Sequence, residues 1–217
     1  MVIKSYINNT TRMERALISV HDKTGIINFA KELCRRRIEI IATDGTLKFL
    51  KKNGIQPVKH VSDVTKFPEI LDGRVKTGHP VILGGILALI NKKEHVIELK
   101  RLGIKPIDLV VCNPCPIKKL DGAFNLRIAL ENIDIGGLNL IRAAAKNFMN
   151  VVVIVNPEKY DEILREFEKR GDISFETRYR LALEAFKETV RYDYMIYKLL
   201  EKLGQGNRFY ISSDHQK

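Results

Sequence analysis

Tryptophan is absent from the 217 residues, and cysteine occurs only three times, at Cys34, Cys112 and Cys115. Three thiols cannot close a disulfide framework, which excludes a small secreted scaffold stapled by bridges. Long apolar runs are missing too. The longest, residues 81–90, has ten residues and includes two glycines, half of the roughly 20 that a membrane-spanning helix needs. Residues 1–15 alternate polar and apolar side chains and lack the apolar core of a secretory signal. The expected location is the cytoplasm. Acidic residues are in short supply, 26 Asp and Glu against 37 Lys and Arg, for a net charge of +11. Such a balance raises the question of nucleic-acid binding. The cations are scattered, however, apart from short runs such as Arg35-Arg36-Arg37 and Lys51-Lys52. No aromatic platform or recognition-helix pattern accompanies them. The charge fits a solvated basic surface, or one that attracts a small phosphorylated anion; neither nucleic acid nor membrane is an expected partner. What is present, 45% hydrophobic and 29% charged residues, is the composition of a folded chain long enough to bury a core.

The hydrophobic pattern alternates between short buried runs and helical spacing. Residues 15–20 (RALISV) read as a strand, followed after the turn HDKTG by a helix with Ile26, Ile27, Phe29, Ala30 and Leu33 on one face. Thr24 stands where a cap is expected. Residues 38–42 read as a second strand, and TDGT leads into a helix that runs to about Asn53-Gly54. PVKHV gives a third strand. Residues 107–112 and 151–155 are apolar enough for central strands, with a helix over 137–147 between them. This rhythm predicts an α/β fold, a doubly wound and mainly parallel sheet flanked by helices. From Pro157 the chain turns helical. Over 175–200, Leu183, Phe186, Val190, Tyr194 and Tyr197 recur at three- and four-residue steps, which predicts a helix with these residues on its buried face. Residues 203–217 are polar, with 208–212 a candidate edge strand. The division that follows is an extension at 1–14, an α/β domain at 15–156, and a helical region at 157–217 packed on it.

Four turns carry the polar chemistry: Ser19-Val20-His21-Asp22-Lys23-Thr24-Gly25, Thr43-Asp44-Gly45-Thr46, Asp72-Gly73-Arg74-Val75-Lys76-Thr77, and Ile133-Asp134-Ile135-Gly136-Gly137. In an open parallel sheet such turns converge beyond the carboxyl ends of the strands, where ligands bind. Glycines let the backbone approach, and helix-start N–H groups bind phosphate. Arg74 and Lys76 add charge and donors. No turn matches the P-loop or the dinucleotide fingerprint. Together they favour a phosphorylated small molecule.

The segments SVHDKTG, FPEILDGRVKTGHP, GGIL, IDLVVCN, ENIDIGG and RAAAKN fall in the order and spacing of the inosine monophosphate (IMP) cyclohydrolase domain. That domain is the N-terminal part of the bifunctional purine-biosynthesis enzyme that also carries a formyltransferase. The resemblance runs from about Arg15 to about Leu200 and includes ISFETRYRLALEAFKETVRYD, similar to that family's helical ending. It implies a methylglyoxal synthase-like fold and closure of the ring of 5-formamidoimidazole-4-carboxamide ribotide to IMP with loss of water. No metal or other cofactor is implied. A separate formyltransferase would supply the substrate, and a homodimer is the first expectation. By resemblance Lys76 and Lys146 stabilise the oxyanion and assist proton transfer, while Asp134 accepts from and orients the carboxamide. Ser19, Lys23, Thr43, Gly45, Thr46, Arg74, Thr77, Asn113, Gly136 and Gly137 match positions that hold the purine ribonucleotide. Cys115 stands where the family has a tyrosine, in Asn113-Pro114-Cys115-Pro116-Ile117.

Three further departures lie inside the motifs: Asp44 in the Gly-rich turn, Gly78 before His79-Pro80, and His21 in place of serine. Plainer readings stand beside the functional ones. Lys76 reads equally as a surface turn lysine, Arg74 as an ion-pair partner, Asp134 as a helix cap, and Lys146 as a cation at a helix end. His21 and His79 read as structural. The spacing Cys112-x-x-Cys115 suits a redox pair or half a zinc site, but with no second pair Cys112 is most simply a buried small hydrophobe. The competing functional reading is a non-catalytic purine-nucleotide-binding protein of the same family.

Overall fold

The structure, a computed structural model, describes residues 13–116 and 130–205. The candidate edge strand at 208–212 lies outside them. Five strands, β1 (Arg15–Val20), β2 (Glu39–Ala42), β3 (Val58–His60), β4 (Leu109–Asn113) and β5 (Val152–Ile154), form one sheet in the order β3-β2-β1-β4-β5. Every pairing is parallel. Parallel strands must be joined by crossovers that cover both faces, so the central strands are apolar on both sides. Accordingly Ala16, Leu17 and Ile18 of β1 and Leu109, Val110 and Val111 of β4 are buried. The expected fold class is the one found.

The helices among the described residues are α1 (Ile26–Arg35), α2 (Asp44–Lys52), α3 (Val61–Thr65), α4 (Pro80–Leu87), α5 (Lys93–Arg101), α6 (Ile135–Lys146), α7 (Tyr160–Arg170) and α8 (Phe175–Gln205). Strand order reverses direction at β1. β2 and β3 lie on one side of it, β4 and β5 on the other. That reversal opens a crevice beyond the carboxyl ends of β1 and β4, because the loops leaving them run to opposite sides.

Two expectations are corrected. Thr24 does not cap α1: Gly25 occupies the cap position with φ 68°, and no side chain caps it. A Cβ there would meet the Tyr160 ring at 3.3 Å, so a glycine suits both the backbone angle and the close packing. The second correction concerns α8. It is helical as expected, but Leu183, Phe186, Val190, Tyr194 and Tyr197 face outward, Val190 being 67% exposed. The buried face carries Leu181, Ala182, Ala185, Thr189 and Tyr192, packed on α6 and β5. Small residues are buried on both helices, Ala182 and Ala185 on α8 and Ala143, Ala144 and Ala145 on α6, and small side chains let two helix backbones approach. Polar members of the buried face are tied in: Thr189 donates to the Phe186 carbonyl at 2.9 Å, and Arg178 donates from Nε to the Ile173 carbonyl at 2.9 Å and from Nη2 to Asp172 at 2.7 Å.

Candidate active site

The crevice is built first from the turn after β1. Asn113, at the end of β4, accepts at Oδ1 from the backbone N–H groups of His21 (2.7 Å) and Asp22 (2.8 Å). It thereby ties the two central strand ends together. Asp22 in turn accepts from Thr24 N at 2.9 Å, and its bonds to Thr24 hold its carboxyl below the usual aspartate range. Lys23 folds back over the strand end. Its Nζ donates to the Val20 carbonyl and, at 3.1 Å, to Oγ1 of Thr46. Burial lowers the Lys23 pKa, as desolvation of a cation does.

The turn after β2 is knitted to the same place. The buried Thr46 hydroxyl accepts from Val20 N at 3.1 Å and donates to Val20 O at 3.2 Å, and Thr43 donates to Ser19 Oγ at 3.1 Å. Nothing lies within 4 Å of where a Gly45 Cβ would be, so the start of α2 faces open space. Asp44 spends its charge along its own helix, with Lys48 Nζ 2.8 Å away. Lys48, then His60 and Lys76, hold Asp44 below the usual aspartate range, which also places Lys76 within electrostatic reach of this turn.

The third turn is strained. Leu71, Asp72 and Gly73 have φ values of 54°, 55° and 84°, and Ile70 pairs with Val75 across them. Each non-glycine residue in that region costs about 1–2 kcal/mol, and such outliers cluster at functional sites. Lys76 follows, half-buried, its Nζ 3.7 Å from where a Gly73 Cβ would stand. Thr77 is 2% exposed, and its hydroxyl has no hydrogen-bond partner among the described residues. It abuts the start of α6, where a Cβ on Gly136 would lie 2.7 Å from its Oγ1. Arg74 is exposed and pairs with Glu131, Nε to Oε2 at 3.2 Å, as its plainer reading foresaw.

Asp134 caps α6. Its Oδ1 accepts from Gly137 N at 2.7 Å and its Oδ2 from Cys115 N at 3.3 Å. The cap itself is held by Tyr192 of α8, whose hydroxyl accepts from Asp134 N at 2.9 Å and donates to the Asn132 carbonyl at 3.4 Å. Sequence reasoning missed Tyr192; the signal was its place on the small-residue face of α8, in register with Ala185 and Thr189. It also passed over His60, whose Nε2 faces Glu69 Oε1 at 3.4 Å beside Lys76. His79 is structural as expected, capping α4 by accepting from Val81 N at 3.2 Å.

The turns therefore bring together Ser19, Lys23, Thr43, Gly45, Thr46 and Asn113 on one side, and Lys76, Thr77, Asp134, Gly136, Gly137 and Cys115 on the other. Lys146 does not join them. It is exposed and ends α6, twelve residues beyond the Asp134 cap, which is about 18 Å along a helix. Cys112 is buried, its thiol 3.6 Å from the Gly137 carbonyl, and burial raises its pKa; no disulfide joins it to Cys115. A cavity of about 440 Å³ adjoins the crevice, between His21, Asn113 and Pro114 on one side and Lys187 and Arg191 of α8 on the other.

The family model of the MGS-like domain matches residues 25–139, and that of the AICARFT/IMPCHase bienzyme matches residues 144–217. The bifunctional purine biosynthesis protein PurH of Caldicellulosiruptor bescii is 50% identical over 198 residues, 90% of this chain and 38% of that protein. PurH of Ruminiclostridium cellulolyticum is 48% identical over 190 residues, 87% of this chain and 37% of that protein. The chain thus spans well under half the length of these relatives. Among solved structures, the crystal structure of ForH aligns with a TM-score of 0.80 at 32% identity, covering 87% of this chain and 97% of that one. The chain belongs to the family of MGS-like domains and corresponds to the N-terminal, IMP cyclohydrolase part of PurH.

Proposed function

We propose that this chain is an IMP cyclohydrolase, closing 5-formamidoimidazole-4-carboxamide ribotide to IMP at the crevice beyond β1 and β4. The observation that carries the reading is the packing of Thr77 on Gly136. It sets the turn of Lys76 against the helix start that Asp134 caps, in a chain matching the IMPCHase part of PurH.

The chemistry is intramolecular. The carboxamide nitrogen forms a bond to the formyl carbon and gives up one proton, while the formyl oxygen becomes an alkoxide and then a hydroxyl. The former formamide nitrogen next loses its proton, and the hydroxyl departs as water as the ring C=N bond forms. In this reading Lys76 meets the developing oxygen charge and protonates the leaving hydroxyl. One such donor is worth about 3–4 kcal/mol when aimed at the oxyanion. Asp134 keeps an acceptor lone pair on each oxygen beyond its bonds to Gly137 and Cys115, and this orients the carboxamide N–H. The starts of α1 and α2, with Lys23, form the phosphate cradle. Lys146 acts as the cation at the end of α6 rather than on the substrate of its own crevice.

Incubating the purified chain with the formylated carboxamide ribotide and following IMP by chromatography tests the reading. IMP above the spontaneous background supports it. IMP that binds but is never formed would make the chain a nucleotide-binding relative instead.

A further inference from the structure

The sheet has a second functional-looking end. Against the amino ends of β1 and β2, and the loop entering β4, lies a cavity of about 880 Å³, within the ~300–1,000 Å³ range of small-molecule sites. It is on the edge opposite the crevice. One wall is apolar, built from Val96 and Leu99 of α5 together with Ile104. Around the mouth the charges are unevenly used. Of the three carboxylates there, two are already engaged and the third, Glu14, is exposed. Glu39 pairs with both Arg15 and Lys59, and Asp108 accepts from the backbone N–H groups of Glu14 and Arg15 at 2.8 and 2.9 Å. Arg36 is paired with Glu32. Arg37, Lys100 and Lys105 also line the cavity, and their side chains make no ion pair or hydrogen bond with any described residue.

Arg37 carries a second signal. It closes α1 in the left-handed conformation, φ 60°, where a Cβ crowds the backbone and glycine is the usual occupant. Of the helices of eight residues or more that close this way, α2, α5 and α7 use Gly54, Gly103 and Gly171. The end facing the cavity keeps an arginine. A strained residue retained where glycine serves elsewhere points to a use for its side chain. The twelve residues before Met13 include Lys4 and Arg12 and no acid, so that segment does not supply the missing counter-charge.

We infer that this cavity is a second ligand site, taking a small anion that carries an apolar body, such as a phosphate or sulfonate on an aromatic ring. Arg37, Lys100 and Lys105 hold the anionic group through charge-assisted hydrogen bonds, and the α5 side chains hold the ring. The site is independent of the ring-closing reading.

The test titrates the full chain with anilinonaphthalene sulfonate, an anionic aromatic dye that fluoresces when its ring is desolvated, and then competes it with inorganic pyrophosphate. The site predicts saturable binding that pyrophosphate displaces. Arg37→Gly combined with Lys105→Ala should weaken both probes at least about tenfold, the loss expected for two charged donors. Its melting temperature should stay at or above that of wild type, because glycine relieves the left-handed angle. Binding should stay within about twofold of wild type in Lys76→Ala and in Leu183→Glu/Val190→Glu, a tolerance of well under 1 kcal/mol. Three results would overturn the inference: no saturable binding to wild type, undiminished binding to the Arg37/Lys105 variant, or loss of binding in the crevice or α8 variants instead.

Discussion

Gly136→Ala perturbs the contact on which the site depends. A Cβ there would stand 2.7 Å from Thr77 Oγ1, whereas ordinary contact begins at 3.4 Å, so at least 0.7 Å must be absorbed. Thr77 is 2% exposed and has no open side to turn to. Overpacking of this kind costs about 1–3 kcal/mol. Alanine returns about 0.5–1 kcal/mol by restricting the unfolded chain, so the net loss of stability is about 0–2.5 kcal/mol. The effect on turnover is larger, because the same displacement moves Lys76 away from Asp134. A misplacement near 1 Å costs on the order of 10²-fold in rate. Thermal melting and initial rates of IMP formation should be measured for Gly136→Ala and for Gly45→Ala, whose Cβ meets nothing within 4 Å. Gly136→Ala should fall about 10²-fold in kcat with a small change in Tm, whereas Gly45→Ala, at the phosphate cradle, should raise KM and leave kcat at saturating substrate and Tm near wild type. Equal kcat in the two variants would refute the reasoning.

Asp134→Ala removes a cap and should cost about 1 kcal/mol, or roughly 2–4 °C in Tm. Asp134→Asn still caps, so it should keep its Tm while losing rate; equal Tm losses in both would contradict the capping geometry. Lys146→Ala should retain most activity, since Lys146 lies about 18 Å along α6 from the cap, against a loss on the order of 10²-fold for Lys76→Ala. Equal losses in a chain shown to be monomeric would place Lys146 at the crevice. Cys115→Tyr, which restores the phenol that the family resemblance implies, should raise the rate of ring closure; an unchanged or lower rate would show that the loop has adapted to the thiol. Burial pushes Glu39 up, but hydrogen bonds from Lys59 and Arg15 outweigh it and hold the carboxyl low. That pairing therefore contributes stability above the ordinary glutamate value, about 4.3, and is lost as pH falls through the folded value. The stability gap between wild type and Glu39→Gln should shrink below about pH 4; a gap constant on acidification would contradict the assignment.

Much of the fold was legible because central parallel strands are apolar on both faces, so RALISV and IDLVVC stand out whatever surrounds them. The four polar turns were legible for a related reason: strand ends that bind ligands need glycines and small polar residues at once. The face of α8 was not legible. Hydrophobicity favours Leu183, Phe186 and Val190, yet the buried side is chosen by fit, and the small Ala182 and Ala185 are the ones buried where α8 packs on α6. Tyr192 was hidden by the same choice, since its importance comes from the Asp134 N–H it meets across 58 residues of sequence. Lys146 shows the opposite limit. Its motif is as clear as that of Lys76, but linear spacing says nothing about which end of a helix faces the crevice.

The most direct measurement is the rate of IMP formation from the formylated carboxamide ribotide by wild type and Lys76→Ala, at equal folded concentration and against the uncatalysed reaction. Turnover well above background that falls on the order of 10²-fold in the variant is the predicted result. Wild type at the background rate, or a variant as fast as wild type, would contradict the claim that this crevice closes the ring through Lys76.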